Sequence, residues 1–413
     1  MKKANCITIF NLIVLLLFLL FIEWRWQMEL LGFNVPNPYY PVAILCGVVS
    51  IISVTKFILF NKKTNIFSIV AFLLMLHCLA ILIFNIPELV LLDKKEIIVE
   101  LGVWAINFGL FFIAMDGSVW RFIEEHTHSI IIIYFLFVMS PIILIMILGS
   151  GAEVNYSLRS LINFLNIAAD DNYGVSYQSY GDKIALLSFL MFFIVKTKIS
   201  KMLVYIITLA SLYVVGSKAS MLGFASSIVV WYVVNTLDFS SIFRFIVITT
   251  ALIGVLLYSQ INIVGNPNLQ ESKYWIVKSL ALGTEDQSVE SRRDIQIINQ
   301  KTLKRRFLIG NYKFDLKEGR PGSYTHNILY FLDYYGVFYF SVFVMFWLYV
   351  LIINITSKKN ILITNFATLS MLYYSVLMLV ARSGSGYLTY WTLGCAVGSI
   401  NIIYKYSRAA IDT

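Results

Sequence analysis

The sequence predicts an all-α polytopic integral membrane protein of about twelve transmembrane helices with one disproportionately large loop outside the membrane. Three observations carry this prediction. Hydrophobic residues fill 59% of 413 positions, charged residues only 13%, and mean hydropathy is +0.78, whereas a soluble domain carries about a quarter charged residues. Apolar runs close to the roughly twenty residues needed to cross hydrocarbon recur along most of the chain. A polar excursion over 262–325 then interrupts them with residues that cannot sit in lipid.

The expected spans follow in order. Met1-Lys2-Lys3 precedes the first, 6–24, which lacks a small-residue cleavage site and ends in the interfacial belt Glu23-Trp24-Arg25-Trp26. It is expected to be a retained signal anchor. Further spans are expected at 40–60, 66–86, 97–116 and 129–149. The short pair 182–196 and 200–216 is divided only by Lys196-Thr197-Lys198-Ile199. The remainder are 219–236, 241–261, 336–355, 361–381 and 387–405. This reads as a single transmembrane domain over 1–413, with a first larger outer loop at 150–181 and the main outer loop at 262–326.

Charge placement gives an independent reading of orientation. With the N-terminus inside, the inner connections hold Lys56, Lys62 and Lys63, then Arg121, then Lys196, Lys198 and Lys201, then Arg244, then Lys358 and Lys359. Lys405 and Arg408 follow in the tail, so both termini are expected on the basic, cytoplasmic side. The two long outer loops are exempt from that rule, and their basic residues require another reason. Anion binding is the direct one. The first loop carries Arg159; the main loop carries Lys273, Lys278, Arg292, Arg293, Lys301, Lys304, Arg305, Arg306, Lys313, Lys317 and Arg320. The window 291–308 has the pattern of an amphipathic helix lying along the membrane face.

Some chemistries are excluded. All four cysteines (Cys6, Cys46, Cys78, Cys395) fall in apolar runs, so no disulfide framework and no zinc spacing is expected. No P-loop, HExxH, GxSxG or paired Asp-x-Asp occurs. A transferase of this composition would therefore use a lipid-linked donor and no metal or other cofactor, since nucleotide sugars are ordinarily held through a metal.

Of four histidines, His77 lies inside a span and His126 and His128 on an inner connection, leaving His326 alone on the outer side, beside Asn327. Imidazole titrates near neutrality and can take a proton from a hydroxyl; it can equally cap the helix that follows. Arg292, Arg293 and Arg320 present forked donors that match phosphate oxygens and would stabilise a departing diphosphate. A solvated basic face is the commoner fate of a single loop arginine. Lys218 follows Gly216-Ser217 at a helix start, where a cation and the helix N-terminus together favour an anion; snorkelling is its bland alternative. Arg382, in Ala381-Arg382-Ser383-Gly384-Ser385-Gly386, has the same two readings. Tyr177 and Gln178 could contact sugar rings, although interfacial tyrosines are ordinary in membrane proteins.

Four patches resemble the superfamily of bacterial O-antigen polymerases and O-antigen ligases. Tyr177-Gln178-Ser179-Tyr180-Gly181 is similar to the segment that re-enters the membrane after the first large loop. Gly216-Ser217-Lys218-Ala219-Ser220 is similar to the family's Ser-Arg helix start, with Lys218 where arginine is usual. Ser291-Arg292-Arg293 resembles the opening of the main loop, and Leu308-Ile309-Gly310 through His326-Asn327-Ile328-Leu329 to Gly336 resembles Gly…His-Asn-x-x-Leu…Gly before a span. The resemblance covers roughly 150–400.

The resemblance implies a GT-C-like helical fold in the bacterial inner membrane and metal-independent glycosyl transfer at the periplasmic face. The donor would be a glycan on undecaprenyl diphosphate. Arg293, Arg320 and Arg382 would hold the diphosphate, and His326 would deprotonate or orient the acceptor hydroxyl. Arg292, Lys218, Asn327, Tyr177, Gln178 and Arg159 complete the expected substrate contacts. Partners would be the lipid-linked donor and acceptor, membrane lipid, a chain-length regulator and a flippase, with no nucleic acid.

Within the superfamily it resembles, polymerases are commonly about this length and rich in Ile, Phe and Tyr, so the resemblance favours a polymerase, which joins one lipid-linked repeat to another. A ligase that transfers glycan to the lipid A core shares nearly every feature. A flippase or other transporter of lipid-linked sugars also suits twelve spans, but transporters tend to show two related halves and charges at the midplane. Here the charges gather on the outer side.

Overall fold

A computed structural model of the chain describes residues 6–21, 38–60, 65–92, 94–148, 177–236, 307–317, 328–357, 361–380 and 386–409, with a few isolated positions between 24 and 36. Every regular element among them is helical. They are α1 (Cys6–Leu16, continued by a π-turn Leu17–Phe21), α2 (Tyr39–Phe60), α3 (Ile66–Leu92), α4 (Lys94–Met115) and α5 (Gly117–Glu125). Next come α6 (Thr127–Leu148), α7 (Tyr177–Ile194), α8 (Lys198–Val215), α9 (Lys218–Thr236) and the single turn α10 (Phe314–Lys317). The chain ends in α11 (Leu329–Thr356), α12 (Leu362–Val380) and α13 (Tyr387–Ala409).

Seven of the described helices are long and apolar enough to cross a membrane: α2, α3, α4, α6, α8, α11 and α12. Eleven of the twelve expected spans coincide with described helices; 241–261 lies outside the described residues. The two helices with the most buried stretches fall short of that apolarity. Residues 180–192 of α7 and 388–400 of α13 are buried throughout, so their polar side chains face protein and carry no cost of contact with hydrocarbon.

The chain forms two compact units. The first comprises 1–133, 189–196 and 299–413, and so holds α1–α5 and α10–α13. Helix α4 is its centre, packed most extensively on α13 and α2. Small residues allow the close approach that membrane helices use in place of a hydrophobic drive. A Cβ on Gly109 would lie 2.7 Å from Cys46 Cβ, and one on Gly398 would lie 3.0 Å from Met115 Cα.

Paired contacts fix the relative helix directions in this unit. Gly102 meets Tyr39 and Gly47 meets Ala105, so α2 and α4 are parallel. Trp104 packs on Tyr390 while Gly394 abuts Phe111, so α13 runs the same way. Phe67 stacks on Tyr349 and His77 on Tyr339, which makes α3 antiparallel to α11; Phe67 also meets Tyr404, at the far end of α13. Thr8 bonds Ser118 while Phe18 packs on Tyr387, so α1 opposes α4 and α13; α12 is joined to α11 by the bond from Trp347 to Ser375. Helices α2, α4, α11 and α13 therefore begin at one end, called the loop end below.

The second unit comprises 134–188 and 197–298. Hydroxyl bonds cross its helices inside an apolar setting. Tyr134 Oη lies 3.0 Å from Thr208 Oγ1, which donates to Ser188 at 2.8 Å, and Ser211 donates to Val138 O at 2.7 Å. Thr197 caps α8 by accepting from Ser200 N at 3.0 Å. That cap accounts for the clean division between the two short expected spans.

Candidate functional site

Two clusters, one in each unit, are built from the patches singled out in the sequence. In the first unit, residues 307–317 lie against the start of α11. Gly336, expected as the first residue of a span, instead lies inside α11 and interrupts it with φ +81° and ψ 174°. The break frees the Val337 N–H, which donates to Phe307 O at 2.8 Å. Gly310 also has a left-handed φ of +71°. A Cβ there would stand 2.5 Å from Tyr334 C and 2.6 Å from Gly336 N. Only glycine permits both the torsion and the backbone contact at each position. Asn311 N donates to Asp333 O at 2.8 Å and completes the join.

The residues after Gly310 then bind the loop ends of α3 and α4. Lys313 Nζ lies 2.6 Å from Glu100 Oε1, with both side chains largely sheltered (17% and 12% exposed). Tyr312 donates to the other oxygen, Glu100 Oε2, at 2.6 Å. Burial first, and then the charge of Glu100, hold the Tyr312 hydroxyl well above its ordinary value, so it stays protonated and donating. Lys317 Nζ reaches Glu88 Oε2 at 2.8 Å, Asn85 Oδ1 at 2.8 Å and Asn311 Oδ1 at 3.2 Å. Asp315, 4% exposed, accepts from Tyr334 Oη at 2.6 Å. Lys313 and Lys317 thus have carboxylate partners, which corrects the expectation that their charges serve anion binding.

Starting one residue beyond Glu100, an apolar groove of about 440 Å³ runs between α2, α3 and α4, with Leu101, Trp104, Phe108 and Phe72 among its lining. All of its walls belong to helices long and apolar enough to cross a membrane, so an apolar group suits it.

In the second unit, two more patches meet. Gly216 closes α8 in the left-handed conformation (φ 79°), its N–H donating to Leu212 O and Tyr213 O. Lys218 begins α9 two residues later and is half-buried. Ser217 Oγ and Ser220 Oγ are 2.6 Å apart, and Ser220 donates to Asp182 Oδ1 at 2.6 Å. Gly181 lies against the same turn, where a Cβ would come 2.9 Å from both Ser217 Cβ and Ser220 Oγ. The patch 177–181 therefore abuts the patch 216–220. Gln178 is half-buried in the first turn of α7, and Tyr177 is that helix's first residue. A cation in the first turn of a helix adds its charge to that of the helix N-terminus, an arrangement that favours an anion.

His326, Asn327, Arg320, Arg292, Arg293, Arg382 and Arg159 lie outside the described residues, as does most of the window 291–308. Sequence reasoning missed Glu88 and Glu100, the acceptors of the loop lysines. The available signal was two carboxylates at the ends of apolar runs facing an excess of loop cations. Among the described residues, no three His, Cys, Asp or Glu side chains are placed to share a metal ion. No protein-family model matches the chain, and no curated protein matches it in sequence.

Proposed function

We propose that this chain is a surface-polysaccharide polymerase of the O-antigen type, joining undecaprenyl-diphosphate-linked repeat units at the periplasmic face of a bacterial inner membrane. The observation that carries the reading is the contact of Gly310 with Gly336. The resemblance rests partly on a glycine pair flanking the His-Asn motif, and both glycines stand where no other residue fits.

Helix direction is consistent with the twelve-span reading. Helices α4 and α11 begin at the same end, so if both span the membrane the chain between Met115 and Leu329 would cross it an odd number of times. Helices α6 and α8 are long and apolar enough for two of those crossings, and the expected spans 182–196, 219–236 and 241–261 would supply the other three. That count would put the main loop on the loop end.

In the proposed reaction, an acceptor sugar hydroxyl attacks the anomeric carbon of the donor glycan. The new C–O bond forms as the bond to the diphosphate breaks, and the hydroxyl proton passes to His326. Undecaprenyl diphosphate departs with the bonding pair, its charge held by Arg293, Arg320 and Arg382. Lys218 supplies a further cation, and the apolar groove beside Leu101 suits a hydrocarbon tail.

A gel of surface lipopolysaccharide from a strain lacking the protein, with and without a plasmid copy, tests this. A core bearing a single repeat, restored to a ladder by the plasmid, is the expected result. Loss of every repeat from the core overturns it, and accumulated long lipid-linked polymer would then single out a ligase.

A further inference from the structure

The charged groups flanking and closing α10, Lys313 and Lys317, form a two-point clasp. At its first point, Glu100 takes both Lys313 and Tyr312, at 2.6 Å each. At its second, Lys317 spans Glu88 on α3, Asn85 one turn before it, and Asn311 within the loop itself. Lys313 carries a left-handed φ of +53°, the sole non-glycine with positive φ among the described residues. Such a conformation costs a non-glycine residue roughly 1–2 kcal/mol and persists where surrounding contacts impose it. Here the contacts are the ion pair to Glu100 and the carbonyl of Lys313, which accepts from Leu316 N and Lys317 N at 3.1 Å each.

The chain is anchored again a short distance on, where Ile328 N donates to Met378 O at 2.7 Å on α12. Lys317 precedes Arg320 by three residues, and Ile328 follows His326 by two. Both flanks of the motif that carries the proposed chemistry are therefore tied to the helix bundle.

We propose that Glu100 and Glu88 are positioning residues for glycosyl transfer, acting through Lys313 and Lys317 to fix where the main loop returns to the membrane. Neither carboxylate touches substrate in this scheme. The Glu100 point dominates, because its pair is sheltered, whereas Glu88 is 57% exposed and water screens its attraction. The proposal rests on the polymerase reading for its consequence, but the clasp can be tested without it.

The test uses the full-length protein with three variants: Glu100→Lys, the charge-exchanged pair Glu100→Lys/Lys313→Glu, and the neutral pair Glu100→Gln/Lys313→Gln. Two readouts are taken. Hydrogen exchange of the 307–317 amides in detergent reports the clasp; polymer length on the gel, at matched abundance, reports its consequence. The neutral pair is expected to speed exchange by about tenfold, the size of effect that losing the charge-assisted hydrogen bonds to Glu100 brings. It should also cut polymer at unchanged abundance, while the exchanged pair recovers polymer relative to Glu100→Lys.

Unchanged exchange in the neutral pair overturns the clasp. Faster exchange with a full-length ladder overturns the positioning role, as does an exchanged pair no better than Glu100→Lys at equal abundance. Should Glu100→Lys fail to accumulate, the neutral pair alone decides. If the wild-type plasmid restores no ladder, the polymerase reading fails, while the exchange measurement still reads the clasp.

Discussion

Gly310 and Gly336 meet backbone to backbone, each with a left-handed φ, so that a side-chain carbon on either would overlap the other's segment. The first expectation follows from this contact. Gly336→Ala and Gly310→Ala should each destabilise the protein by at least about 1–2 kcal/mol from the torsion alone, with steric overlap added. Thermal unfolding in detergent checks it, and a variant as stable as wild type would show that the contact does not form.

The joint between α7 and α9 gives a second expectation. Ser220→Ala removes the donor 2.6 Å from Asp182 Oδ1 and should cost about 1–3 kcal/mol, the penalty of a buried acceptor losing its partner. Gly181→Ala should act on the same joint by crowding Ser217 and Ser220. Because the two changes share partners, the double variant should fall short of their sum. Strict additivity in the melting data would mean the two positions are independent.

Arg320→Lys should lose most polymer if two guanidinium donors grip one phosphate, since an ammonium offers a single point of charge. His326→Ala should abolish polymer with membrane abundance unchanged. A near-normal ladder from either variant removes that residue from the proposed mechanism.

Topology offers a fourth expectation. Ile309 is 83% exposed on the loop-end segment, so a cysteine there should react with a membrane-impermeant maleimide added to whole spheroplasts. A cysteine at Ile199, 75% exposed in the first turn of α8, should react only after the membrane is opened. Labelling of both from one side would break the alternation of spans.

Much of the helix layout was legible because hydropathy reports contact with lipid. Helices α2, α3 and α4 read directly as long apolar runs. Helices α7 and α13 were found by position, although Asp182 and Lys183 in one and Thr389 and Thr392 in the other dilute their apolarity. Burial within protein relieves them of the need to be apolar. The spacing from Gly310 to Gly336 was visible as a motif, but not the left-handed torsions that explain it. The partners of Lys313 and Lys317 were not legible. Glu100 is 213 residues from Lys313 and Glu88 is 229 from Lys317, and local patterning carries no record of such pairings. The loop's positive charge consequently suggested anion binding at Lys313 and Lys317, whose charges are taken up by Glu100 and Glu88.

Reconstitution tests the central claim most directly. Purified protein in liposomes is supplied with a single synthetic repeat on undecaprenyl diphosphate and no metal, lipid A core or other protein. The expected products are lipid-linked dimers and longer chains, with one undecaprenyl diphosphate released per linkage formed. Intact single repeats in the presence of folded protein, or their movement across the bilayer without any linkage, would contradict it.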